Sequence, residues 1–294
     1  MTNPTVASFI TLPTLTTLNL WCQGIGVVEA QHLGDALRHN TTLTTLDLQY
    51  NNTEDAGAQH LAHGLKYNTT LTTLILLENK IGDVGAQYLS DGLQHNTTLT
   101  TLILLQNRIG DVGAKHLADA LQHNTKLTTL NLALNEIGVD GAQHLGDALK
   151  YNTTLTTLDL YYNLIGDIGA QHLAHGLQHN TTLTTLDLKR NEIGYAGARH
   201  LCDALRHNTT KALNKTIDVR KLNMDCDDNF EDVDDRKTCT TTRRFNQQAV
   251  TLERQLIIAG HTIDLEKILY SQSIGFYSSK PLTGYLTVNK NILY

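Results

Sequence analysis

The chain is poor in cysteine. Its 294 residues hold four, at Cys22, Cys202, Cys226 and Cys239, without regular spacing. That suits a reducing compartment better than a disulfide framework. No stretch approaches the ~18 uninterrupted apolar residues of a transmembrane helix. The opening MTNPTVASFITLPTL lacks the basic start and apolar run of a secretion signal. Positive charge is not in excess either. Lys and Arg number 23 against 29 Asp and Glu, for a net charge of -6 and a pI near 6.1, which weighs against a nucleic-acid binder. Catalytic signatures are missing: no G-x-S-x-G, no H-E-x-x-H, no paired CxxC, and no GxxxxGK phosphate loop. The expectation is a soluble cytoplasmic protein that is not an enzyme, with no cofactor, no membrane and no nucleic acid among its partners.

What is present is repetition. A leucine opens each of seven 28-residue units, at Leu15, Leu43, Leu71, Leu99, Leu127, Leu155 and Leu183. Such a period fixes the architecture first, because one unit cannot bury its own apolar face and neighbours must stack on it. In the unit from Leu99 to Lys126, Leu99, Leu102 and Leu104 follow L-x-x-L-x-L, and Thr and Ile suit a strand. Asn107 ends the strand, where its side chain can satisfy backbone groups of the turn and of the neighbouring copy. Ile109 points inward and Gly110 relaxes the chain. Asp111 is the expected N-cap of a helix whose stripe is Ala114, Leu117 and Leu121. Small residues at Ala118 and Ala120 let that helix lie close. His123-Asn124 closes it, with Asn expected in the left-handed conformation. The second unit reads NNTEDAG, so Thr53 and Glu54 replace the inward Ile and the Gly, and a looser turn is expected there. NTT triplets at Asn40, Asn68, Asn96, Asn152, Asn180 and Asn208 match the glycosylation pattern, but they recur with the unit and read as helix ends.

The motif LxxLxLxxNxIGDxGAxxLAxAL, as in Leu99–Leu121, resembles a leucine-rich repeat of the ribonuclease-inhibitor-like class over residues 15–208. It is similar to the repeat regions of ribonuclease inhibitor, of Ran GTPase-activating protein and of NACHT-type immune receptors, especially NLRC3-like ones. The resemblance implies an α/β fold: a right-handed solenoid, or horseshoe, with parallel strands on the concave face and helices outside. It implies recognition of a protein or peptide in regulatory or innate-immune-like signalling. The alternative it leaves is a GTPase-activating regulator of a small GTPase.

Columns that differ between copies point to function. The third slot of the unit is always Thr, from Thr17 to Thr185. The fifth reads Asn19, Asp47, Ile75, Ile103, Asn131, Asp159, Asp187; the seventh reads Trp21, Gln49, Leu77, Leu105, Ala133, Tyr161, Lys189. The eighth reads Cys22, Tyr50, Glu78, Gln106, Leu134, Tyr162, Arg190. On strands about 4.8 Å apart these slots make a zoned face. Trp21 and Tyr50 mark an aromatic end. Ile75, Leu77, Ile103, Leu105 and Leu134 form an exposed apolar middle, with Glu78 and Gln106 beside it. Asp159, Tyr161, Tyr162, Asp187, Lys189 and Arg190 make a polar far end. Exposed aliphatics among Tyr, Trp and Arg have an interface composition, so these fifteen residues are the expected partner-binding set.

Fourteen histidines stand out. One column holds His32, His60, His116, His144, His172 and His200, with Tyr88; another holds His39, His95, His123, His179 and His207, with Tyr67 and Tyr151. His172, His175 and His179 have helical ligand spacing. No cysteine or carboxylate completes a coordination set, so no metal is expected.

The period fails at Lys211. A shifted match at Lys215–Lys221 suggests a degenerate eighth strand near 216–220. An acidic run follows, Asp225–Asp235, with Phe230 and Arg236 where an EF-hand needs Gly and Glu. The expected layout is a lead over 1–14, repeats over 15–221, and a tail over 222–294 that either caps the stack or stays unassigned. With little chain ahead of Leu15, either the protein is a piece of a longer one or its ends pair with a second copy.

Overall fold

The computed structural model describes residues 14–208. The expected eighth strand, acidic run and tail lie outside the described residues. Seven three-residue strands run through them: β1 (Thr17–Asn19), β2 (Thr45–Asp47), β3 (Thr73–Ile75), β4 (Thr101–Ile103), β5 (Thr129–Asn131), β6 (Thr157–Asp159) and β7 (Thr185–Asp187). A helix follows each: α1 (Val27–Leu37), α2 (Glu54–Tyr67), α3 (Asp83–His95), α4 (Asp111–His123), α5 (Val139–Leu149), α6 (Gly166–Leu177) and α7 (Tyr195–His207). The strands form one parallel sheet in chain order, and each pairs with the next at an offset of one unit, as in Thr73↔Thr101 and Leu74↔Leu102. This is the expected solenoid. Parallel strands settle about 4.8 Å apart, whereas helix axes need ~8–10 Å. A stack joined unit by unit therefore bends with its strands on the inside of the curve.

The core lies between the two layers. Leu99, Leu102, Leu104 and Ile109 of the fourth unit are wholly buried, and Ala114, Leu117, Ala118, Ala120 and Leu121 face them from α4 with at most 2% exposure. The close approach expected of the small residues is real. A Cβ on Gly176 would sit 2.1 Å from the carbonyl oxygen of Gly146 in the preceding helix.

Two asparagine ladders hold the units together. Asn107 donates from Nδ2 to the Leu76 and Leu104 carbonyls, while its Oδ1 accepts the N–H groups of Asn79 and Ile81. The second ladder is the NTT column. Asn96 donates to the Leu65 and Asn68 carbonyls and accepts the Thr98 and Leu99 N–H groups. From Asn68 onward these residues are buried, and each side-chain amide is already committed. The column does end helices, but Asn124 is extended at φ -72, ψ 128 and not left-handed as expected.

The left-handed residue lies elsewhere. The whole eighth column, from Cys22 to Arg190, has φ between 53 and 60. Its N–H groups carry the ladder past the strand ends, as Gln106 does to the Ala133 carbonyl at 2.9 Å.

The expected N-cap role of Asp111 is also corrected. Gly110 is the N-cap of α4, and Asp111 is the first helical residue. Its Oδ1 accepts the N–H groups of Gly138 at 2.7 Å and Gly141 at 2.9 Å, which open the helix of the next unit. Asp83 and Asp167 do the same for Gly110 with Gly113 and for Gly194 with Gly197, and Asp55 serves Gly82. Each aspartate thus satisfies the orphan donors of the following helix. Val27 and Val139 interrupt this relay. The two turns downstream of them are the ones that flip: Glu54 and Gly166 take φ 54 and 62 and donate to the Asn79 and Asn191 carbonyls instead.

The flip has a consequence for the first ladder. Elsewhere a turn Ile, such as Ile137, donates its N–H to the Oδ1 of the next asparagine. In the second unit Thr53 supplies its hydroxyl to Asn79 Oδ1 at 3.0 Å. In the sixth, Ile165 has no hydroxyl, and Asn191 Oδ1 is buried without a hydrogen-bond partner among the described residues. The NNTEDAG unit is therefore not loosened as expected. Thr53 is fully buried and makes good the acceptor that the flipped turn deprives.

Candidate interaction face

The strands present their third and fifth slots, and the turn after them the seventh and eighth, on the inner face of the curve. In the middle, Ile75 and Ile103 are register partners on β3 and β4, with Leu77 and Leu105 beyond them, and all four are half-buried. Leu134 does not join them. It is only 7% exposed, although it shares the left-handed backbone of its column, and Ala133 beside it is buried as well. At one end Trp21 is 44% exposed and meets the Tyr50 ring edge-on, with centroids 6.2 Å apart. Burial, and then the Glu78 charge, push the Tyr50 hydroxyl above its ordinary value. At the far end Tyr161 and Tyr162 lie 6.1 Å apart, and Lys189 reaches Asp187 at 3.6 Å. Gln106, like Glu78 and Arg190, is half-buried.

The polar fifth slot has a second task that periodicity did not disclose. The Asn19, Asp47, Asn131, Asp159 and Asp187 side chains each accept the N–H two residues on, at 2.9–3.0 Å. This Asx turn steers the chain off the strand. The column's restriction to Asn and Asp, apart from two Ile, was the available signal. Asn131 also donates to Asp159 Oδ2 at 2.9 Å, and Asn19 to Asp47 at 3.1 Å. Asp159 and Asp187 are register partners on β6 and β7. Burial mainly, and the Asp187 charge in addition, raise the Asp159 carboxyl above its ordinary value, against the hydrogen bonds from Tyr161 and Asn131 and the Lys189 charge.

The histidine columns line the outer surface of the helices. His95 and His123 place Nδ1 2.9 and 3.0 Å from the Asp91 and Asp119 carbonyl oxygens. His63 packs on Tyr67, which also takes the Arg38 guanidinium at 4.9 Å. Among the described residues no three His, Cys, Asp or Glu side chains gather as a ligand set, and no helix is long and apolar enough to cross a membrane. Periodicity also passed over a run of exposed apolar side chains where strands turn into helices: Leu164, Ile168 and Tyr195, at 56, 59 and 75% exposure.

Comparison with known proteins follows the same period. A family model described as leucine-rich repeat matches residues 39–62, 67–90, 95–118, 123–146, 151–174 and 179–202. No curated protein matches the chain. Among solved structures, it is similar to leiomodin-1 actin-binding site 2, at 18% identity and TM-score 0.34, over 72% of this chain and 91% of that one. A chain in the crystal structure of PEPR1-AtPEP1 shares 24% identity at TM-score 0.35, over 55% of this chain but 20% of that one. A pollen receptor kinase 3 structure shares 18% at TM-score 0.37, over 62% and 76%. With strands and helices stacked in one register over six consecutive matches, residues 39–202 are leucine-rich repeats and the chain carries a solenoid of that family.

Proposed function

We propose that the protein is a non-enzymatic platform whose inner sheet face binds a protein or peptide partner, in a regulatory or immune-type signalling setting. The observation that carries this reading is the contrast between columns. Leu, Ala, Asn and Thr repeat without change because they build the stack, while the fifth and seventh slots vary and leave Ile75, Leu77, Ile103 and Leu105 half-exposed in one strip. A solvated β face needs no such strip, and an aliphatic group flanked by Trp, Tyr and Arg is what a binding surface requires. The exposed free thiol of Cys22 accords with a cytoplasmic setting.

The test compares capture. Wild type and a Leu77→Asp, Lys189→Glu, Arg190→Glu variant are immobilised, and bound proteins are identified by mass spectrometry. Partners held by the wild type should be lost from the variant, while circular dichroism shows the same fold. Identical capture by both would remove the inner face as the binding site.

A further inference from the structure

The sixth unit carries a histidine constellation that the others lack. Three positions at one spacing along each helix and the turn that closes it read His32-Asp35-His39, His60-His63-Tyr67, Tyr88-Asp91-His95, His116-Asp119-His123, His144-Asp147-Tyr151, His172-His175-His179 and His200-Asp203-His207. Only the sixth is imidazole throughout. His175 and His179 are both exposed, and their rings meet at 5.8 Å between centroids and 89° between planes.

The chain winds differently at this helix end. In α3 and α4 the helix continues through His95 and His123, and each ring settles against the carbonyl four residues back. α6 closes at Leu177, and the next turn tightens: His179 N–H bonds to the Gly176 carbonyl at 3.2 Å. The His179 ring then lies on the His175 ring.

We propose that His175 and His179 form a two-imidazole site for a divalent transition ion of the Zn2+, Ni2+ and Cu2+ class. His175 lies on α6 and His179 in the turn just past its end, and their rings already meet; metalloprotease helices likewise pair two histidine ligands four residues apart. An ion holding two imidazole nitrogens at ~2.0–2.1 Å in tetrahedral geometry sets the ring centres about 5 Å apart, so rotation about the side-chain bonds closes the remaining gap. Imidazole selects these ions over Mg2+ and Ca2+, which prefer oxygen. Two protein ligands leave the other positions to water, so the ion exchanges freely and stays open to a further ligand. His172, half-buried one turn earlier, stands two turns from His179, too far to share the ion.

The experiment is calorimetric titration of the full chain with Zn2+ and with Ni2+, for wild type and for His175→Gln, His179→Gln and His172→Gln. All three sites are on the surface, so thermal melts should coincide without metal. Wild type and His172→Gln should take up one equivalent more than the other two. In NMR, Zn2+ should move the His175 and His179 ring signals together. Equal uptake by all four proteins overturns the site, as does no uptake by the wild type or a loss confined to His172→Gln.

Discussion

Val139→Asp should stabilise the protein, although it replaces an apolar residue by a charge. Val139 stands where four other units carry the aspartate that caps the next helix. In its absence Gly166 flips, and Asn191 Oδ1 is left buried and unpaired. A new carboxylate at 139 would draw the Gly166 and Gly169 N–H groups as Asp111 draws those of Gly138 and Gly141. The restored turn would return the Ile165 N–H to Asn191 Oδ1, as Ile137 N–H bonds to Asn163. A helix cap is worth ~0.5–2 kcal/mol, and a buried acceptor left alone costs ~1–3 kcal/mol. Val139 is only half-buried, so its loss offsets a fraction of the ~1.5–3 kcal/mol of a fully buried side chain. The expected net gain is about 1–3 kcal/mol. At ~2–4 °C per kcal/mol for a domain of this size, the melting midpoint should rise by several degrees. Urea unfolding should show the same gain, and NMR should find Gly166 near the φ of -102 seen at Gly138. A midpoint that stays or falls while Gly166 remains at positive φ would refute the relay. The reverse change, Asp111→Val, should flip Gly138, take the Ile137 N–H from Asn163 Oδ1 and cost a comparable ~1–3 kcal/mol.

Leu102 is wholly buried, and Leu102→Ala should lower stability by ~2–5 kcal/mol in urea unfolding; an unchanged midpoint would contradict the strand register. Asn107→Ala removes two donor contacts and two acceptor contacts from the interior, and a loss of ~3 kcal/mol or more is expected, with faster amide exchange at Asn79 and Ile81. Burial raises the Asp159 carboxyl above its ordinary value in the fold, so its protonated form favours folding. Its contribution is complete below pH 3.8 and is lost as pH rises through the raised folded value. Carboxyl NMR titration should place Asp159 above 3.8, and Asp187→Asn should bring it down by removing the neighbouring charge.

Much of the fold was legible because it is local and repeated. Alternation at Leu102 and Leu104 gave the strand, and the stripe at Ala114, Leu117 and Leu121 gave the helix. What escaped depends on bonds 26–31 residues long, which no single unit displays. Asp111 looks like the cap of its own helix because Asp often is one, and only the stacked neighbour reveals its target. Thr53 looks like a defect until the lone Asn191 Oδ1 shows what it supplies. On the inner face, the variable columns were visible by comparing copies, and Ile75, Leu77, Ile103 and Leu105 of those columns are half-buried there. Leu134 differs from its column in side chain and not in backbone: the eighth slot is left-handed throughout, and its apolar member is the one that is buried.

Because almost every join between neighbours uses the same atoms at the same spacing, the length of the array is a free variable in steps of one unit. Excision of residues 71–98 would hand Asp55 the Gly110 N–H in place of that of Gly82, and give Asn68 and Asn124 to each other as ladder neighbours. Removal of one residue would instead throw every later leucine out of phase. Such a chain is forgiving of large changes and brittle to small ones, and whole units can be duplicated or lost without the remaining ones being redesigned.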